Sequence, residues 1–233
     1  SLQGYNPDAD LGLGCGLPTQ FAKIKQGDVV VDLGSGAGND AFIARAETGN
    51  IGKVIGIDFT PAMIEKARYN AEVRGLNNVE FRQGDIEKMP ITSNIADVVV
   101  SNCVLNLVPN KNGVMKEIFR VLKTGGHFSI SDVVLVGNLP DALRKDAEMY
   151  AGCISGAIQK EAYIELIHAN GFINVVIQKE KPIVIPDDIL VNYLSASEIT
   201  AFKSGSTGIM SITVFAQKPL ENKTACVPGG GCC

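Results

Sequence analysis

The sequence predicts an α/β fold: a doubly wound sheet, mostly parallel with an antiparallel last strand, followed by a small C-terminal α+β extension. Three observations predict it. Short apolar runs alternate with stretches of helical spacing. The first apolar run ends in a cluster of glycines, and polar or acidic residues stand directly after the later runs.

Val29-Val30-Val31-Asp32-Leu33 reads as a buried strand, Asp40 to Glu47 has helical spacing, and Lys53 to Ile57 is a second buried strand. Together they form a βαβ opening. Pro61 begins a helix, with Thr60 as its N-cap, that runs to about Arg74 before Gly75 closes it. Strands are expected near 78–83, 96–101 and 127–135, with a helix near 111–122 between the last two. Beyond Gly137, Pro140 to Ala151 and Glu161 to Ala169 read as helices, and Phe172 to Gln178 and Ser211 to Gln217 as strands. The chain divides into a core with an N-terminal cover segment (1–135), a part that completes the sheet and the substrate side (136–218), and a flexible cysteine-bearing tail (219–233).

Composition narrows the function classes. A chain of 233 residues, 45% hydrophobic and 20% charged, has the length of one globular domain with a small added lobe. Its formal charge of -4 leaves no basic block to neutralise phosphates, so a nucleic-acid substrate is not expected. No apolar stretch is long enough to span a bilayer, and the start lacks a secretory pattern, which predicts a cytoplasmic protein with no membrane partner. Ser1-Leu2 in place of Met reads as the end of a trimmed chain.

The glycines have the spacing G-x-G-x-G at Gly34, Gly36 and Gly38, with Asp32 before them and Ser35 among them. Such a loop between strand and helix lets the backbone approach a ligand and aim N–H groups at it. Asp58 ends the second strand, where its carboxylate would accept two ribose hydroxyls. Phe59 adjoins it, Asp85 after the third strand would reach an adenine amino group, and Met63 and Ile86 would give the ring apolar faces. Asn102 ends the fourth strand on the same side. All four positions fall at carboxyl ends of strands, where open α/β sheets bind ligands, and they point to S-adenosylmethionine. A dinucleotide site and a plain packing turn are the alternatives. Residues 29–132 resemble the class I methyltransferase fold, which is Rossmann-like.

The residues after Asn102 bear on the acceptor. The Asn/Asp-Pro-Pro-aromatic motif of amine-methylating enzymes is replaced by Asn102-Cys103-Val104-Leu105. His127 and His168, the two histidines, read as structural or surface residues, so no general base is evident. Six cysteines occur, at 15, 103, 153, 226, 232 and 233, without zinc-binding spacing. In a reducing compartment they are expected as free thiols. Buried small apolar side chains are one reading of Cys15, Cys103 and Cys153; three thiolates converging on a cleft as a soft-ion trap are the other.

Five segments resemble the arsenite methyltransferase family: Asp8 to Gly16, Asp32 to Gly38, Gly56 to Met63, Ser101 to Leu107 and Tyr150 to Ala157. That resemblance implies an S-adenosylmethionine-dependent enzyme of arsenic detoxification, with Cys103 and Cys153 binding trivalent arsenic and Cys15 ligating it or exchanging disulfides. The arsenic lone pair would then attack the sulfonium methyl, and a thiol reductant of the thioredoxin or glutathione type would restore the thiols. The family usually carries a further cysteine upstream of the segment matching Cys15, before the point where this sequence starts. The alternatives are C- or O-methylation of a small organic molecule and a non-catalytic thiol-based arsenic-binding protein. Cys226, Cys232 and Cys233 lie in a tail rich in glycine and read as mobile.

Overall fold

A computed structural model describes residues 3–5, 7, 16–139, 154, 156–204 and 207–220. Its centre is a seven-stranded sheet made of β1 (Val29–Leu33), β2 (Lys53–Asp58), β3 (Val79–Gln83), β4 (Ala96–Asn102), β5 (Leu122–Val136), β6 (Ile173–Pro182) and β7 (Gly208–Gln217). The spatial order is β3-β2-β1-β4-β5-β7-β6. β1 to β5 pair in parallel, and β7, last in the chain, inserts antiparallel between β5 and β6. The expected sheet is borne out, including its antiparallel last strand.

The helices of this sheet are α1 (Pro18–Phe21), α2 (Asn39–Thr48), α3 (Pro61–Val73), α4 (Lys111–Val121), α5 (Lys160–Ala169), α6 (Asp187–Leu190) and α7 (Ala196–Lys203). Local chemistry sets their ends. Gly49, at φ 72°, closes α2 by donating its N–H to the Arg45 carbonyl at 3.0 Å. Pro61 opens α3, where its missing N–H leaves nothing unpaired, and Thr60 holds the N-cap position without a side-chain cap. The helix expected over 140–151 falls outside the described residues. α1, α6 and α7 are additions to the predicted set. α7 had a legible signal, a Ser195-x-x-Glu198 capping box whose side chains satisfy each other's backbone N–H groups.

Three strands run beyond their expected bounds: β5, β7, and β6, which continues to Pro182. β5 starts at Leu122, which pairs with Ala96 of β4, and β7 starts at Gly208, which the antiparallel ladder pairs with Val136. Core packing explains the apolar runs: Val31, Leu33, Val99 and Phe128 belong to one buried cluster, and Val30, Val54, Val98 and Val100 to another. Alternate residues of one strand thus pack in different clusters, as a sheet covered by helices on both faces requires.

Candidate active site

Strand order reverses at β1, which lies between β2 and β4, so the loops leaving β1 and β4 diverge to either side and open a crevice at their carboxyl ends. The two loops touch there. A Cβ on Gly34, at φ 66°, would collide with the Val104 side chain. Gly38 is constrained differently, since a Cβ there would stand 2.8 Å from the Phe42 and Phe81 rings. Gly36, at φ 50°, faces open space and donates its N–H to Asp58 Oδ2 at 2.9 Å. Two glycines therefore permit packing, and the middle one leaves room for a ligand.

Asp58 also accepts the Thr60 N–H through Oδ1 at 2.8 Å, so one carboxylate ties the glycine loop to the start of α3. Phe59 beside it is 76% exposed, an aromatic face open to a flat ligand. Met63 is half-buried. Asp85 accepts the Glu87 N–H at 2.8 Å and caps the short 3-10 turn Ile86–Lys88. Ile86 is buried and packs in the core with Ile57 and Met89, so most of its apolar surface is already covered.

Charge gathers in the crevice. Asp32 is buried, and its carboxyl is held well above the usual range, first by burial and then by the negative charges of Asp40 and Asp58. Asp32 Oδ2 and Ser35 Oγ are both buried without a hydrogen-bond partner. A buried polar atom left unpaired costs about 1–3 kcal/mol, which a bound polar group recovers. Open space at Gly36, two unpartnered oxygens and a cluster of acids suit a cationic ligand that carries hydroxyls. Asn102 joins three elements: Nδ2 donates to the Gly16 carbonyl at 3.0 Å and to Asp40 Oδ2 at 2.9 Å, and Oδ1 accepts the Gly16 N–H at 3.2 Å. Its side chain pins the segment before β1 over the crevice.

Cys103 comes directly after β4. It is 2% exposed and adopts φ 62°, a left-handed conformation that non-glycine residues rarely take and that costs on the order of 1–3 kcal/mol. Its N–H donates to the Ser131 carbonyl at 2.8 Å. Its side chain belongs to the same buried apolar cluster as Val133, Leu135, Ile154 and Ala157. Cys103 is disulfide-bonded, which corrects the expectation of a free thiol at this position. Cys15, Cys153, Cys226, Cys232 and Cys233 all lie outside the described residues, and among the described residues no group of three His, Cys, Asp or Glu side chains could hold a metal ion.

The histidines stand apart from this chemistry. His127 is at the amino end of β5, its Nε2 2.6 Å from the Ala22 carbonyl, and His168 is exposed in the last turn of α5. Desolvation lowers the His127 pKa. Three residues escaped the sequence reading. Asp40 adds to the acidic cluster, Asn106 is buried in the turn after Cys103, and Asp132 is buried on β5 with the Tyr163 hydroxyl donating to it at 3.4 Å. Asp132 carried a signal, an acid inside the otherwise apolar and small-residue run of β5. No helix among the described residues is long and apolar enough to cross a membrane.

Comparison with known proteins places this crevice. The model of the methyltransferase domain family matches residues 24–171. The arsenite methyltransferase of Halobacterium salinarum is 41% identical over 94% of this chain and 56% of its own length. The crystal structure of the arsenic(III) S-adenosylmethionine methyltransferase of Chlamydomonas reinhardtii superposes with a TM-score of 0.72 at 33% identity, over 88% of this chain and 68% of that one. The chain belongs to the arsenite methyltransferase family. A second such enzyme, from Aquipseudomonas alcaligenes, is 37% identical over 78% of this chain and 54% of its own. The chain thus spans about half the length of the curated relatives it matches. S-adenosylmethionine is the cofactor of the family, and the unpartnered oxygens and open glycine of the crevice fit it.

Asp58 offers a direct check on that fit. Asp58→Ala removes the tie to Gly36 and the carboxylate expected to accept the ribose hydroxyls, so affinity for S-adenosylmethionine, measured by calorimetry, is expected to fall about 10-fold to 100-fold. Unchanged affinity would show that the cofactor does not lie against the end of β2.

Proposed function

We propose that this chain methylates trivalent arsenic, presented as arsenite or a thiol-bound form, with Cys103 as the central ligand. The observation that carries the proposal is Cys103 itself: buried, left-handed, at the carboxyl end of β4, and bonded to another cysteine sulfur. Two sulfurs close enough to bond are close enough, once reduced, to chelate one thiophilic ion. Cys153 is the proposed second ligand, and Cys15 a further thiol that ligates arsenic in its place or exchanges disulfides, from the family's motifs.

Gly36, Asp58 and Asp85 hold the ribose and adenine of the cofactor in this scheme, with Phe59 and Met63 against the ring, while Asp32 and Ser35 take its polar amino-acid end. Gly34 and Gly38 shape the loop, Ile86 backs it from the core, and Asn102 closes the crevice from above. S-adenosylmethionine, when bound, supplies an electrophilic sulfonium methyl that the arsenic lone pair takes. The thiolates fix that lone pair in direction, and positioning of this kind is worth about 7 kcal/mol or more. Because arsenic is itself the nucleophile, no general base is needed, consistent with imidazoles placed away from Cys103. A thiol reductant of the thioredoxin or glutathione type opens the Cys103 disulfide before arsenic binds.

The test is incubation of the reduced protein with arsenite, S-adenosylmethionine and a dithiol, and then separation of arsenic species. Methylated arsenic is the expected product. Cofactor binding without any methylated arsenic would overturn the proposal.

A further inference from the structure

The short turn after Cys103, Leu105–Leu107, holds an oxygen with nothing to bond. Asn106 is 4% exposed, and its Nδ2 donates to the Val133 carbonyl at 2.7 Å. A carbonyl can only accept, so the amide nitrogen must face it, and this fixes Oδ1 as the remaining acceptor. Oδ1 is buried without a partner. The turn directly follows Cys103, the proposed central arsenic ligand. Val133, which clamps the Asn106 amide, packs in the same cluster as the Cys103 side chain. On the other side, a Cβ on Gly156 would collide with the main-chain carbonyl of Asn106, so Gly156 lies against this turn. The neighbouring carbonyl of Ser131 accepts the Cys103 N–H. Cys103 and Asn106 are thus both fastened to β5, two residues apart on that strand.

We infer that Asn106 determines which arsenic species the site prefers: its Oδ1 accepts a hydrogen bond from the hydroxyl that stays on arsenic after two thiolates have bound. It rests on the arsenite chemistry proposed above. When arsenous acid meets two thiols, two As–S bonds form and two As–O bonds break, two waters leave with the thiol protons, and no electron is transferred. One hydroxyl remains, a donor in an otherwise apolar cluster. Methylarsenous acid bound by the same two thiols has a methyl group in that position and can donate nothing. An acceptor here therefore favours the unmethylated ion.

The experiment compares kcat/KM for arsenite and for methylarsenous acid on the same preparation, so that any unfolded fraction cancels in the ratio. Asn106→Leu, of similar size but without the acceptor, is expected to shift the ratio about 3-fold to 10-fold toward methylarsenous acid. Asn106→Thr, whose hydroxyl can donate to Val133 and accept from the substrate, is expected to keep the ratio within about twofold of the parent. An equal fall for both substrates in Asn106→Leu, or no change, would overturn the inference and assign Oδ1 to a buried water or to packing. If the parent protein methylates neither species, the proposed function fails first and this inference falls with it.

Discussion

Cys103→Ser is expected to abolish methylation of arsenite, with a loss of about 100-fold or more, while S-adenosylmethionine affinity stays within about twofold of the parent value. The two halves of that result have separate causes. A serine hydroxyl is a hard and weak ligand for a soft ion, and it remains protonated at neutral pH, so the arsenic loses the ligand that sets its direction. The proposed cofactor contacts are tied elsewhere: Asp58 and Gly36 meet through one hydrogen bond, and the Asn102 side chain is engaged by Gly16 and Asp40. None runs through the Cys103 sulfur. The substitution also separates the competing functions. An enzyme that methylates a small organic acceptor would keep its turnover with serine at 103, because there the thiol is only a small buried side chain. A sequestering protein would lose arsenic affinity without ever having shown product. Measuring arsenic species and cofactor binding on one sample distinguishes all three, and full arsenite turnover by Cys103→Ser would remove Cys103 from the mechanism.

The left-handed backbone at Cys103 bears on the same point. A glycine would take φ 62° without strain, yet the position holds a β-carbon and a sulfur. Strain of that kind persists where the surrounding structure over-determines it, here through the Ser131 carbonyl and the packing of Val133 and Leu135. It costs stability and gains only a thiol in a fixed direction.

Much of this was legible in the sequence, for a physical reason. The strands of a parallel sheet are buried on both faces, so Val29 to Leu33 and Ala96 to Val100 are nearly continuous apolar runs, and the residue after each run lies at the carboxyl end of the sheet. Asp58, Gly36, Asn102 and Cys103 could be assigned to one edge before any coordinates. The rest depended on contacts between distant segments. That β7 enters between β5 and β6 comes from pairing no local pattern encodes, and it extends β7 beyond its expected start. Asn106 looks like an ordinary turn residue until Val133 and Gly156 enclose it. Ile86, expected to face the ring, is instead largely absorbed by the core.

Asp132→Asn is expected to stabilise the protein, and to do so increasingly as pH rises. Asp132 is fully buried on β5. Three groups face it: the Val133 N–H at 3.0 Å from its own strand, the Tyr163 hydroxyl from α5, and the positive charge of Lys111 from the start of α4. All three favour the ionised form, but burial outweighs them and pushes the carboxyl from 3.8 up to about 7. The same environment pushes the Tyr163 hydroxyl well above its ordinary range, by burial first and then by Asp132. In the unfolded chain the carboxylate ionises near 3.9. Between those values the native state keeps a proton that the unfolded state gives up. The associated stability is fully present below about pH 4, declines as pH rises, and is lost above about 7, where a buried charge costs on the order of 4 kcal/mol. Asparagine has the same shape, keeps an acceptor for the Val133 N–H, and never ionises. Thermal unfolding from pH 4 to 9 should therefore show the variant and parent converging at the acid end, diverging through neutrality and running parallel above pH 8, with the midpoint temperature there raised on the order of 10 °C. Curves that stay parallel throughout would mean that Asp132 ionises in the folded protein as it does in the unfolded one. The consequence reaches the site, because the carbonyls on either side of Asp132, those of Ser131 and Val133, hold Cys103 and Asn106. A charge forced onto Asp132 loads the strand end from which the thiol is positioned, so the alkaline limit of arsenite turnover in the parent protein should move upward in Asp132→Asn.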